Sequence, residues 1–275
     1  MNGAPGWLEV RRGAEPLVVS FPHTGTDIPP GIEARLVSPW LGRKDADWWV
    51  DRLYGFAADL GATTIRTRLS RTVIDVNRDP SGASLYPGQA TTGLCPETSF
   101  DGEPLYLEGA APGTDEVAAR RERFFHPYHA ALAGEIGRLR GEHGGVVLYD
   151  AHSIRSEIPR LFEGALPHFN IGTFNGAACD PALAAAVASA CDAPGFTHVV
   201  DGRFKGGWTT RHYGRPSDGV HAIQMELACR GYMDEPSGRP VEADWPTAYD
   251  EARAAPLRAV LTQVLKACLA FASQN

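Results

Sequence analysis

Two histidines stand beside short apolar runs, and the residues around them have the composition of a metal site. His23 follows Leu17–Phe21 in S-F-P-H-T-G, and His152 follows Val146–Tyr149 in V-V-L-Y-D-A-H-S. Two imidazoles, one carboxylate and a position left to water are the donor set of a catalytic zinc centre. Asp47, in D-A-D-W-W, is the favoured carboxylate. Asp150 is either a ligand or the group that orients an imidazole from behind. Glu226, in Q-M-E-L-A, sits on the polar side of an otherwise apolar strand and reads as a base, since a buried carboxylate needs a cation or an activated water beside it. Arg71, Arg78, Arg155, Arg160, Arg211 and Arg215 crowd strand ends and loops, and as a group they suit an anionic substrate. Nucleophilic chemistry is less well supported. Ser153 lacks a G-x-S-x-G elbow, and Cys229 before Arg230 is the one thiol in an electropositive turn.

These side chains need strands that end at a common edge. Leu17–Phe21 and the run from Val146 predict buried parallel strands, each handing its histidine to a loop just past its end, where ligands bind in open α/β sheets. Val220–Ala228 alternates, with Ile223, Met225 and Leu227 on one face and Gln224 and Glu226 on the other. Further strands are expected at Thr63–Thr67, Arg71–Val76, Ile171–Thr173 and His198–Val200, and residues 1 to 13 read as an edge strand or arm. Helices are expected from the D-W-W block to Gly61, from Asp115 to Arg140 with a kink or break at Pro127, at Pro181–Ala190, and from Pro246 to Ala272 with a break or kink near Pro256. Asp79 to Thr114 reads as a long binding loop or lid, and the basic segment Asp201–Pro216 as a glycine-rich loop that lets backbone approach a ligand.

Composition narrows the function classes. A net charge of −7 without a basic stripe argues against nucleic acid. The absence of a leader pattern or of some 18 consecutive apolar residues argues against a membrane role and for a cytoplasmic protein. Five cysteines without C-x-x-C spacing fit reduced thiols. No shift in composition divides the 275 residues, so a single domain, 1–275, is expected.

The strings S-F-P-H-T-G, D-A-D-W-W-V-D-R-L-Y, S-R-T-V-I-D-V-N-R-D, Y-D-A-H-S-I-R-S and Q-M-E-L-A-C-R-G-Y-M, in this order, resemble the N-formylglutamate amidohydrolase (N-formylglutamate deformylase) family over about residues 16 to 270. The resemblance implies an α/β fold of the zinc carboxypeptidase-like type, three-layer α/β/α with a mixed central sheet. It also implies hydrolysis of N-formyl-L-glutamate to L-glutamate and formate, the last step of one route of histidine degradation. By the same resemblance His23 and His152 are metal ligands for Zn2+ or another divalent metal. Thr26 stands where related enzymes place the acidic ligand, so the third ligand is Asp47, with Asp27 as competitor. Glu226 takes the place of the general base. Arg155 or Arg78 would hold the oxyanion. Asn77-Arg78 would hold one carboxylate of a small dicarboxylate substrate, and Arg71, Arg211 or Arg215 the other. The rival readings are an amidase for another N-acyl amino acid, an anion-binding protein without turnover, and a serine or cysteine hydrolase.

Overall fold

A computed structural model describes residues 5–85, 88 and 91–274. Among them seven strands form one sheet: β1 (Leu8–Arg11), β2 (Leu17–Phe21), β3 (Thr63–Thr67), β4 (Val146–Ile154), β5 (Phe169–Gly172), β6 (His198–Val200) and β7 (Val220–Ala228). Their order across the sheet is β1-β3-β2-β4-β7-β5-β6. The central strands β3, β2, β4 and β7 run parallel; β1 and β5 are antiparallel to their inner neighbours. The helices are α1 (Pro30–Glu33), α2 (Val50–Leu53), α3 (Thr114–Arg120), α4 (His126–His143), α5 (Pro181–Ala190), α6 (Trp208–Tyr213) and α7 (Glu251–Ala272).

Both faces of the central strands are covered, which is why β4 and β7 are buried at every residue. Val19, Tyr149, Ile223 and Met225 meet Leu183 and Val187 of α5 and Leu257, Leu261 and Val264 of α7. Val18, Leu148 and Ala222 on the opposite face meet Tyr128, Leu132 and Ile136 of α4. Each such fully buried aliphatic side chain stabilises the fold by about 1.5–3 kcal/mol relative to exposure. The result is the expected three-layer α/β/α arrangement with a mixed sheet. The five cysteines are free and buried.

Several elements depart from the sequence reading. Strand β4 continues to Ile154, because it pairs with β7 over nine residues; His152 therefore lies inside the strand, not beyond it. Arg71–Val76 is not a strand. It turns, with Val73 N–H donating to Ser70 and the Asp75 carboxylate accepting from the Asn77 N–H at 2.9 Å. The D-W-W block yields the short α2 and a 3-10 turn at Gly55–Ala58, since Trp49 adopts a left-handed φ of 64° that bars an earlier start. Ahead of Pro127, a π turn at Arg121–Phe125 joins α3 to α4 without a break. Helix α7 starts at Glu251, capped by the Asp250 side chain, and runs through Pro256. Strand β5 starts two residues early, at Phe169, and Asp201–Pro216 contains α6. Part of the expected lid, residues 86, 87, 89 and 90, lies outside the described residues.

Candidate active site

Parallel register builds the site. His152 on β4 pairs with Glu226 on β7, and Asp150 pairs with Gln224, so four polar side chains stack on one sheet face near the carboxyl ends of the strands. His23 follows β2, the neighbour of β4 on its other side. The Asp47 N–H donates to the His23 carbonyl at 3.0 Å, which ties the residue just ahead of α2 to the same edge.

The Nδ1 atoms of both histidines converge on one carboxylate oxygen. Asp47 Oδ2 lies 3.0 Å from His152 Nδ1 and 3.7 Å from His23 Nδ1, and it accepts from the Ser153 N–H at 3.2 Å. His23, Asp47 and His152 can each offer a ligand atom within 4.8 Å of the others. Behind them, His23 Nε2 meets Asp75 Oδ1 at 2.7 Å and His152 Nε2 meets Asp150 Oδ2 at 2.9 Å. A carboxylate behind each ring, accepting from Nε2–H, leaves the Nδ1 lone pair facing the shared point. His23 Nδ1 is buried and finds no hydrogen-bond partner among the described residues. A cation would satisfy it, so the donor set fits a divalent metal with an open position.

Electrostatics agree with that geometry. Burial keeps the His23 ring's pKa low, and Arg71 adds to the effect. At His152 burial acts the same way, but Asp150 and Asp47 outweigh it and push the ring well up; a metal at Nδ1 would take the place of that proton. Burial opposes ionisation of Asp47 and Asp75, yet His152 and His23 hold the first below the ordinary carboxylate range, and Arg78, His23 and Arg71 hold the second well below it. Glu226 is the contrast. Burial, reinforced by Asp47, raises its carboxyl to about 8 against the pull of His152. Its Oε2 accepts from Gln224 Nε2 at 3.3 Å.

A cavity of about 70 Å³ opens on these groups, lined by His23, His152, Glu226 and Gln224, by Arg71, Asn77, Arg78 and Arg203, and by an apolar wall of Phe100, Ile154, Leu161 and Phe204. Arg71 pairs with Asp75 at 2.6 Å, and its buried Nε has no hydrogen-bond partner among the described residues. Arg78 is braced by the Thr92 carbonyl and hydroxyl.

Other expected residues lie elsewhere. Arg155 is bound to Asp101 at 2.6 Å and lines a neighbouring pocket with Arg160 and Arg230, so it is not placed to hold an oxyanion at this centre. Arg211 donates to the Gly206 and Leu85 carbonyls, and Arg215 is exposed; neither lines the cavity. Asp27 is half-exposed and pairs with Arg68 at 3.1 Å, which removes it as the third ligand. Asn77 lines the cavity, but its amide is engaged: Nδ2 lies 3.0 Å from Asp150 Oδ2 and 2.9 Å from His152 Nε2, and Oδ1 accepts from the Thr209 N–H at 2.8 Å. Ser153 Oγ accepts from Tyr232 on the far side of the strand, and burial raises the Cys229 thiol, so neither is a ready nucleophile.

Asp75, Gln224 and Arg203 were not singled out by sequence reasoning. Asp75 shares its alternating set with Arg71 and Asn77, and Gln224 shares a strand face with Glu226; those patterns were the available signals. Arg203 belongs to the basic loop, but nothing in the string separates it from Arg211 and Arg215.

Comparison with known proteins adds an independent finding. A family model described as N-formylglutamate amidohydrolase matches residues 15–233. The chain is 47% identical over 269 residues to an N-formylglutamate deformylase from Pseudomonas aeruginosa, covering 98% of both chains. It is 46% identical to a protein of the same name from Pseudomonas putida, covering 98% of this chain and 97% of that one. Among solved structures, an N-formylglutamate amidohydrolase from Ralstonia eutropha JMP134 superposes with a TM-score of 0.76 at 25% identity, covering 97% of both chains. A gene product from Agrobacterium tumefaciens shares the fold, with a TM-score of 0.69 at 18% identity over 96% of this chain and 95% of that one.

Proposed function

Because the chain belongs to the N-formylglutamate amidohydrolase family, we propose that it hydrolyses N-formyl-L-glutamate to L-glutamate and formate, with a divalent metal held by His23, Asp47 and His152. The observation that carries this reading is the convergence of three ligand atoms beside a buried glutamate with a raised pKa. Residues 1–275 are taken as one catalytic domain.

The nitrogen and oxygen donors and their number suit zinc. When bound, such a cation supplies Lewis acidity: it acidifies water and polarises the formyl carbonyl. Glu226 takes the proton of the attacking water and returns one to the leaving amine. Its burial suits that work, because a carboxyl raised to about 8 both accepts and gives up a proton near neutrality, and a cation nearby draws the value down. Arg71 replaces Arg155 as the group that stabilises the oxyanion, since it lines the cavity beside His23 and His152 and its guanidinium keeps a donor without a hydrogen-bond partner among the described residues. Arg78 takes the α-carboxylate. Asn77 becomes a positioning residue, donating to the Asp150 carboxylate behind His152.

The test is formate release from N-formyl-L-glutamate by purified protein before chelation, after it, and with zinc restored. Release that stops with chelator and returns with zinc is expected. Release indifferent to chelator would remove the metal, and no release at all would remove the substrate.

A further inference from the structure

The reading above gives the substrate two carboxylates and leaves the second without a partner, because Arg211 and Arg215 do not line the cavity. Arg203 does. It stands on a segment fastened at both ends. At one end Asp201 donates its N–H to the Ile171 carbonyl at 2.7 Å, and its carboxylate accepts from the Thr173 N–H at 2.8 Å. At the other, Gly207 N–H donates to Gln224 Oε1 at 2.7 Å, the same side chain that contacts Glu226. Close packing reinforces the anchor, since a Cβ on Gly172 would stand 2.5 Å from the Gly206 nitrogen. Arg203 Nε donates to the Leu161 carbonyl at 3.0 Å, and the guanidinium lies over the Phe204 ring, 5.4 Å from its centroid.

The wall around it is apolar. Ile154 follows His152 by two residues on β4 and so shares its face, and Leu161 and Phe204 pack in the same cluster. An apolar wall that includes Ile154, two residues from His152, and Leu161 and Phe204, which touch a guanidinium, matches a chain of methylenes ending in a carboxylate. We propose that Arg203 binds the side-chain carboxylate of N-formylglutamate, with Ile154, Leu161 and Phe204 covering its two methylenes. This rests on the reading of the site as an N-formylglutamate hydrolase. Arg203 is thereby a specificity-determining residue and has no part in bond cleavage.

The experiment compares kcat and KM for N-formyl-L-glutamate and for N-formyl-L-norvaline, which keeps the aliphatic chain and lacks the carboxylate, in wild type, Arg203→Met and Arg203→Lys, with bound metal measured in each. In Arg203→Met the preference for the glutamate compound is expected to fall on the order of 100-fold, carried by KM, with metal content unchanged. Arg203→Lys should recover part of it. A methionine variant that keeps the wild-type preference, or that loses both substrates in equal proportion, overturns the assignment. Failure of the wild type to cleave N-formyl-L-glutamate overturns the underlying reading, and this shows before any substitution is made.

Discussion

Glu226 and His152 stand side by side on two parallel strands, and their surroundings divide the carboxylates of the site into two kinds. Asp75 and Asp150 each sit behind an imidazole, and Asp47 has both rings and Arg71 nearby. Glu226 has an uncharged amide as its hydrogen-bond partner and is the carboxyl whose pKa rises. In the proposed mechanism that difference separates base from ligand. In Glu226→Gln the shape and the Gln224 contact are nearly kept while the proton acceptor is lost. Its kcat is expected to fall about 100- to 10,000-fold with bound metal, measured by elemental analysis, unchanged. Loss of metal in that variant would make Glu226 a ligand instead.

At the scale of elements, the site depends on a turn that the sequence disguises. Thr72, Ile74 and Val76 alternate with Arg71, Val73 and Asp75 as a strand would, yet residues 71–77 are all buried and the backbone turns at Asp75. Period two records which residues are apolar; it does not record that an aspartate will cap its own backbone two residues on. Strands β2 and β4 were legible from their unbroken apolar runs and β7 from its alternation, and with them came His23, His152 and Glu226. Asp75 was not legible as the partner of His23, because only the fold brings residues 52 apart together. Arg203 was hidden because a glycine-rich loop has no period to tell which side chain turns inward. The turn ends at Asn77, against which Gly207 packs so closely that a Cβ there would stand 2.4 Å from Asn77 Nδ2. Gly207→Ala should therefore displace the amide from Asp150 and His152. A stability loss of about 1–3 kcal/mol and a fall in kcat/KM of roughly 10-fold or more are expected, read by denaturant melts and steady-state kinetics. Wild-type kinetics in a folded variant would show that the clamp is dispensable.

For the whole molecule, His129 couples proton uptake to unfolding. It projects from α4 into the layer between that helix, the turn at 71–77 and α6, with Nε2 2.7 Å from the Val76 carbonyl and Nδ1 3.1 Å from the Tyr213 hydroxyl. Burial lowers its pKa from 6.5 to about 3, and the Val76 carbonyl resists the shift only in part. A histidine lowered in the fold stays neutral there and takes up its proton only on unfolding. Below pH 6.5 the unfolded chain therefore binds more protons at this residue, so its effect is to reduce stability as pH falls towards 3. Carboxylates of the unfolded chain begin to titrate towards pH 4.5, but they, like Glu226, His23 and His152, act alike in wild type and in a variant at position 129 and cancel in the comparison. His129→Gln keeps a donor for Val76 and removes the titration. The unfolding free energy of wild type, followed by denaturant melts across that window, is expected to fall with pH more steeply than that of His129→Gln, by a margin approaching about 1.4 kcal/mol per pH unit. Parallel curves would mean that His129 already binds its proton in the folded state, and that the contact between α4 and the active-site turn opens to water.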